Sequence, residues 1–359
     1  MHRVYNFAAG PGVLPVPVLQ EISENLVDYK GQGMSVLEMS HRGATIKAIC
    51  EETKTSIRKL LQVPEDFEIL FLQGGGHMQF AMVALNLLGQ KGKAAYIVDG
   101  VWSKKAAAEA ARYGSICVIG ETTPYRVPDE KTLQVPEDIS YLYYCQNETV
   151  HGLEFNYVPK APEGAALVSD ISSNFMTRPV DFTAHDLVFA GAQKNFGPAG
   201  LTVVIVRKSL LGKALAICPT MLDYAVHAKA GSMYNTPPVF PIYVASLVCQ
   251  WIAAEGGIAE MNRRALERSS LIYGVIDASD GFYINSYRAC ERSRMNVVFT
   301  LKNPALQEAF LQQASEHDLV NLKGHRLLGG FRASLYNAMP VAGAKALADF
   351  MQDFAHKHG

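Results

Sequence analysis

Glu68-Ile69-Leu70-Phe71-Leu72-Gln73-Gly74-Gly75-Gly76-His77-Met78 is the stretch from which the rest of the chain can be read. An unbroken apolar run halted by a glycine triplet is the pattern of a strand buried on both faces, and the apolar-periodic residues 78–88 behind it read as a helix. The same alternation recurs downstream. Strand candidates fall at 94–98, 116–119, 141–145, 165–169, 187–190 and 201–206, with helical stretches among them. Seven strands in that order imply an α/β fold with a large, mostly parallel sheet covered on both faces.

Beyond the segment Tyr234-Asn235-Thr236-Pro237-Pro238, a long apolar helix is expected over 242–254, stopped by Glu255-Gly256-Gly257. The remainder reads helix, strand (296–301), helix (305–317), strand (331–335) and final helix (342–356), which suits a smaller C-terminal α/β domain. We therefore expect a large domain over 16–256 and a small one over 257–359. The N-terminal residues 1–15 should pack on the small domain or near the active site.

Composition narrows the function. The 359 residues are 49% hydrophobic and 19% charged, which argues against a disordered regulator. Lysine plus arginine number 33 against 34 acidic residues, so the basic excess that nucleic acid demands is missing. The start, Met1-His2-Arg3-Val4-Tyr5-Asn6, has no apolar signal region, and no run approaches a membrane span, so a cytoplasmic protein with no membrane or nucleic-acid partner is expected. Cys50, Cys117, Cys145, Cys218, Cys249 and Cys290 include no C-x-x-C pair, so they read as reduced and no metal site is signalled.

Chemistry concentrates in Ala190-Gly191-Ala192-Gln193-Lys194-Asn195-Phe196-Gly197-Pro198-Ala199-Gly200, where one lysine stands among small residues between two apolar strands. An aldehyde cofactor needs such an amine. Asp170, ending the run 165–169, stands where open α/β sheets place ligand groups, at the carboxyl edge of a strand. Pyridoxal phosphate needs an anion at its pyridine nitrogen to act as an electron sink, and Lys194 with Asp170 meets both needs. Gly74-Gly75-Gly76 before a helix offers bare backbone N–H groups to its phosphate. Taken singly, each has a plainer explanation: a solvated lysine, a capping aspartate, a tight turn. The glycines match neither the dinucleotide fingerprint nor a P-loop, which weighs against a nicotinamide-dependent oxidoreductase.

The chain resembles the phosphoserine aminotransferase family of fold-type-I pyridoxal-phosphate enzymes (class V aminotransferases) over essentially its whole length. The resemblance runs through Asn6-Phe7-Ala8-Ala9-Gly10-Pro11, Glu38-Met39-Ser40-His41-Arg42-Gly43, Gly74-Gly75-Gly76, Asn147-Glu148-Thr149, Ala192 to Gly200, Asn235-Thr236-Pro237-Pro238 and Lys323-Gly324-His325-Arg326. It implies that pyridoxal 5′-phosphate is carried covalently by Lys194, with Asp170 at the ring nitrogen, Trp102 stacked on the ring and Thr149 bonded to its phenolic oxygen. Gly76, His77 and Gln193 would hold the cofactor phosphate from one subunit and Asn235 and Thr236 from the other, so a homodimer with shared sites is implied. Arg332 would take the substrate α-carboxylate, and His41-Arg42 with His325-Arg326 the distal anion. The implied reaction interconverts 3-phosphohydroxypyruvate plus L-glutamate with O-phospho-L-serine plus 2-oxoglutarate in serine biosynthesis, and the resemblance extends to 4-phosphohydroxy-L-threonine in pyridoxine biosynthesis. Departures fall at His77, where relatives often carry arginine, and at Ala9, where some carry serine. Of the rivals on this fold, a desulfurase would need a catalytic cysteine in a mobile loop, which no cysteine here provides, and a silent cofactor carrier has no use for paired His-Arg motifs.

Overall fold

Alternating apolar runs and glycine turns become, in the computed structural model, which describes residues 2–89 and 91–359, a seven-stranded sheet. Its strands are β1 (Phe67–Leu72), β2 (Lys93–Ile97), β3 (Ser115–Ile119), β4 (Tyr141–Cys145), β5 (Ala166–Asp170), β6 (Leu187–Gly191) and β7 (Thr202–Arg207). They lie in the order β1-β7-β6-β5-β4-β2-β3. Strand β7 runs antiparallel to both its neighbours, and every other pairing is parallel, as expected. Burial on both faces explains why the central strands read as continuous apolar runs.

The two-residue period of each strand divides the core. On one face Tyr141 and Tyr143 of β4 and Phe189 of β6 pack with Phe80, Val83 and Ala106 of the helices Gly75–Leu87 and Val101–Ala110. On the other, Ile69, Val188 and Ile205 meet Ile49 and Ile57 of Ala44–Leu61 and Val244 and Leu247 of Val239–Ala254. Among the described residues no single helix is long and apolar enough to cross a membrane.

A second core gathers Phe299, Phe310, Phe331, Phe350 and Phe354 between the three-stranded sheet Tyr283–Ile284, Asn296–Leu301, Phe331–Ser334 and the helices Gln307–Glu316 and Val341–His358. Phe7 joins this core, and Tyr5–Asn6 pairs in parallel with Leu319–Val320. The helix Gly257–Asp277 serves both cores, giving Ile258 and Met261 to the first and Ile272, Val275 and Ile276 to the second.

Several elements begin elsewhere than the sequence pattern suggests; the helix expected over 242–254, for instance, runs Val239–Ala254. The helix expected from residue 78 starts at Gly75, because Gly74 and Gly75 take left-handed φ values of 88° and 63° and turn β1 straight into the helix. The helix expected over 305–317 begins as a 3-10 turn, Pro304–Leu306, capped by the Asn303 side chain accepting from the Ala305 amide, before Gln307–Glu316 continues it.

Candidate active site

Parallel strands place their carboxyl ends together, and the chemistry-bearing residues collect along that edge. Gly75 and Gly76 follow β1, Trp102 follows β2, Thr149 follows β4, Asp170 ends β5 and Lys194 lies in the turn after β6. Lys194 is half-buried. Its Nζ donates to Thr149 Oγ1 at 2.7 Å and Ser173 Oγ at 3.0 Å, and these two hydroxyls stand 2.6 Å apart. The face of Trp102 lies 5.9 Å from the same nitrogen.

Asp170 is only 7% exposed. Its Oδ1 accepts the Ser172 amide at 2.9 Å, and its Oδ2 faces Gly76, where a Cβ would come to 3.7 Å from that oxygen and 3.8 Å from Phe189. The bare glycine thus leaves a slot above the carboxylate. The indole Nε1 of Trp102 is buried without a protein partner, and His77 packs edge-on against that indole with ring centroids 5.4 Å apart. An amine, a carboxylate, an aromatic face and a helix N-terminus with no side-chain cap surround one space. That set fits a phosphorylated aromatic aldehyde such as pyridoxal phosphate.

Behind Trp102 lies a buried acidic pair. Glu148 accepts the amides of Trp102 (2.7 Å) and Val150 (3.1 Å), and Asp99 accepts the Ser103 hydroxyl at 2.8 Å while its Oδ2 has no partner. Burial raises both carboxyls, and the Glu148 charge raises Asp99 further; Glu148 is pushed up to about 7 although its two amide donors oppose the shift.

Arg332 reaches the site from the second sheet, its Nη1 donating to the Thr149 carbonyl at 3.4 Å. Burial holds its guanidinium below the usual value. His325 is also held down, first by burial and then by the positive charges of Arg332, Arg326 and Lys105. Burial and His325 together bring His151 down to about 4. The positive charges that hold His325 down make this a locally cationic corner, which a bound anion would relieve. A cavity of about 260 Å³ beside them is lined by Arg126, Val150, Tyr287, His325 and Arg332. Arg42 is exposed and His41 half-exposed on the segment before the helix Ala44–Leu61, where the Arg42 amide donates to Ser40 Oγ at 3.3 Å and the Gly43 amide to the Ser40 carbonyl at 2.9 Å. Asn235 and Thr236 are held near the end of β1 by Gln73, through Asn235 Nδ2 at 3.3 Å and the Thr236 carbonyl at 3.2 Å. Gln193 lies beside Lys194, its carbonyl accepting the Gly12 amide at 2.7 Å.

Sequence reasoning passed over three contributors. Ser173 was visible only as part of the Ser172-Ser173 pair after Asp170, with nothing to aim it at Lys194. Glu148 read as the middle of a motif. Asn195 gives its Nδ2 to the Ser173 carbonyl and accepts the Asn337 amide at 2.8 Å, tying the lysine turn to the C-terminal layer.

Comparison with known proteins agrees with this geometry. The model of the class-V aminotransferase family matches residues 4–347. A curated phosphoserine aminotransferase of Chromobacterium violaceum is 49% identical over 100% of both chains, and that of Drosophila melanogaster is 48% identical over 98% of each. A solved phosphoserine aminotransferase from Bacillus circulans subsp. alkalophilus, 40% identical over 99% of both chains, superposes with a TM-score of 0.96. The pyridoxal-phosphate-bound enzyme of Trichomonas vaginalis, 39% identical, gives 0.93 over 98% of this chain and 100% of its own. This chain, with its lysine and aspartate at neighbouring strand ends, belongs to the class-V aminotransferase family, among the phosphoserine aminotransferases.

Proposed function

We propose that the chain interconverts 3-phosphohydroxypyruvate plus L-glutamate with O-phospho-L-serine plus 2-oxoglutarate, using Lys194 as both cofactor anchor and proton carrier. The observation that carries this reading is the convergence on Lys194 Nζ of Thr149 Oγ1 at 2.7 Å and the Trp102 face at 5.9 Å, with Asp170 ending the adjacent strand. When bound, pyridoxal 5′-phosphate supplies an electron-poor ring that accepts and returns an amino group. Asp170 would hold its ring nitrogen, Thr149 its phenolic oxygen, Trp102 its face, and Gly76, His77 and Gln193 its phosphate. Freed Lys194 Nζ takes a proton from the substrate and returns it, as general base and then general acid. Arg332 orients the α-carboxylate, while His41, Arg42, His325 and Arg326 take the distal phosphate or carboxylate by charge-assisted hydrogen bonds.

The active form in this reading is a homodimer in which Asn235 and Thr236 of one subunit complete the phosphate site of the other. A division at 256/257 into large and small domains is supported by the separate phenylalanine-rich core and by the bridging helix that starts there. All six cysteines are free, which suits the cytoplasm in which we place the enzyme. The test is the visible spectrum of the purified protein before and after glutamate. A yellow form that bleaches with glutamate and recovers with 3-phosphohydroxypyruvate is expected; an absorbance indifferent to both would refute the assignment.

A further inference from the structure

Ser173 is 2% exposed, three residues beyond Asp170, with its hydroxyl aimed at the lysine rather than at the aspartate. Several bonds fix it there. Its carbonyl accepts Asn195 Nδ2, Asp170 Oδ1 holds the Ser172 amide, and Ser172 Oγ accepts the Gly191 amide at 3.0 Å. The result is a triangle of Lys194 Nζ, Thr149 Oγ1 and Ser173 Oγ with sides of 2.7, 3.0 and 2.6 Å.

Donor counting shows what the triangle does. An ammonium has three donors and no acceptor, so both hydroxyl oxygens must accept from it. Their own protons then go elsewhere: Thr149 donates to Ser173, and Ser173 to the Asn147 carbonyl at 3.4 Å. A neutral amine has a free lone pair, and turning one O–H toward it satisfies that state with no heavy atom moved. Two hydroxyls therefore accommodate Nζ in both protonation states. A carboxylate in their place would hold the ammonium too firmly, and an apolar residue would hold neither state.

We propose that Ser173 is a further catalytic residue of the transamination, holding the Lys194 ε-amine whenever that amine is free and carries the transferred proton. This rests on the reading of Lys194 as anchor and proton carrier. Proton balance is simple. A substrate C–H bond breaks as an N–H bond forms at Nζ, the same N–H bond breaks when the proton is handed back, and the hydroxyls only rotate. With Thr149 occupied by the ring oxygen, Ser173 is the hydroxyl that remains to Nζ.

The experiment compares the wild type with Ser173→Ala and Ser173→Thr. In the full chain stripped of cofactor, Lys194 is labelled at pH 8 with a trace amine acylating reagent and quantified by peptide mapping. Loss of an acceptor for the ammonium should raise its labelling rate about tenfold in Ser173→Ala, with Ser173→Thr near wild type. In the holoenzyme, the single-turnover reaction with glutamate should slow by about tenfold or more in Ser173→Ala with the glutamate dissociation constant unchanged. A wild-type value of either rate in Ser173→Ala, with borohydride still fixing the cofactor on Lys194, overturns the role of Ser173 and leaves the lysine assignment standing. Cofactor fixed on another lysine overturns the lysine assignment itself. Thermal melts of both variants show whether a lost rate reflects a lost fold.

Discussion

At the scale of single residues, the two groups that matter most have opposite relations to water. Lys194 stays half-exposed and is satisfied by hydroxyls alone. Lys194→Ala should leave the fold intact and abolish covalent cofactor attachment, read by borohydride reduction and peptide mapping; a pyridoxyl label persisting on the variant chain would contradict the anchor assignment. Glu148, by contrast, is fully buried, and burial pushes its carboxyl from 4.5 up to about 7. A raised folded-state value means the native protein binds this proton more tightly than the unfolded chain. Its contribution is thus complete below about pH 4.5 and is lost as pH climbs through 7. We expect wild-type stability in urea to fall between pH 5 and 8 by an amount to which Glu148 contributes on the order of 2 kcal/mol, and Glu148→Gln to show a flatter profile. An identical slope in both proteins would mean that the carboxyl ionises normally.

At the scale of elements, the active site is made by the way segments lean on the turn after β6. The N-terminal residues reach it directly: the Gly12 amide donates to the Gln193 carbonyl at 2.7 Å, and Tyr336 Oη donates to the Ala9 carbonyl at 2.6 Å. A Cβ on Gly12 would lie 2.6 Å from the Lys194 carbonyl and 2.7 Å from the Tyr336 ring, too close for either to yield cheaply. Gly12→Ala should therefore cost about 1–3 kcal/mol of stability and weaken cofactor binding as the lysine turn shifts. Urea unfolding and a cofactor titration check this, and a variant indistinguishable from wild type in both would show that the segment adapts. The strand and helix pattern of this region was legible because apolar periodicity survives in any context. The close approach at Gly12 was not, because nothing in Pro11-Gly12-Val13 says which distant backbone comes near.

At the scale of the whole molecule, the protomer gathers the amine, the carboxylate and the aromatic face by itself, whereas His41, Arg42, Asn235 and Thr236 sit on or near its surface. The shared-site reading makes a sharp expectation. Subunits crippled by Thr236→Ala, mixed and exchanged with subunits crippled by Lys194→Ala, should regain activity, since one site of each hybrid dimer carries neither lesion. Verified exchange without recovered turnover would show that each subunit builds its site alone. The cluster of Arg332, Arg326, Lys105 and His325 is a second property of the assembled chain, since these residues come from different layers and acquire a common field only when packed.

The sequence by itself determined the α/β class, the strand order along the chain and the types of the candidate reacting groups. Those follow from local rules: burial on both faces makes strands continuous and apolar, a glycine triplet ends one, and an amine and a carboxylate at strand ends are legible as types. Tertiary structure alone decided the partners. Strand β7 inserts antiparallel between β1 and β6, although the sequence shows only seven apolar runs in a row. Ser173 became a partner of Lys194 because β5 and β6 are neighbours with their carboxyl ends aligned. Glu148 came to lie under Trp102 because β4 and β2 are adjacent, and its carboxyl shifted because the surrounding packing excluded water. Periodicity is a property of neighbours in the chain, whereas hydrogen bonds, desolvation and mutual charge effects are properties of neighbours in space, and only the fold makes the second kind.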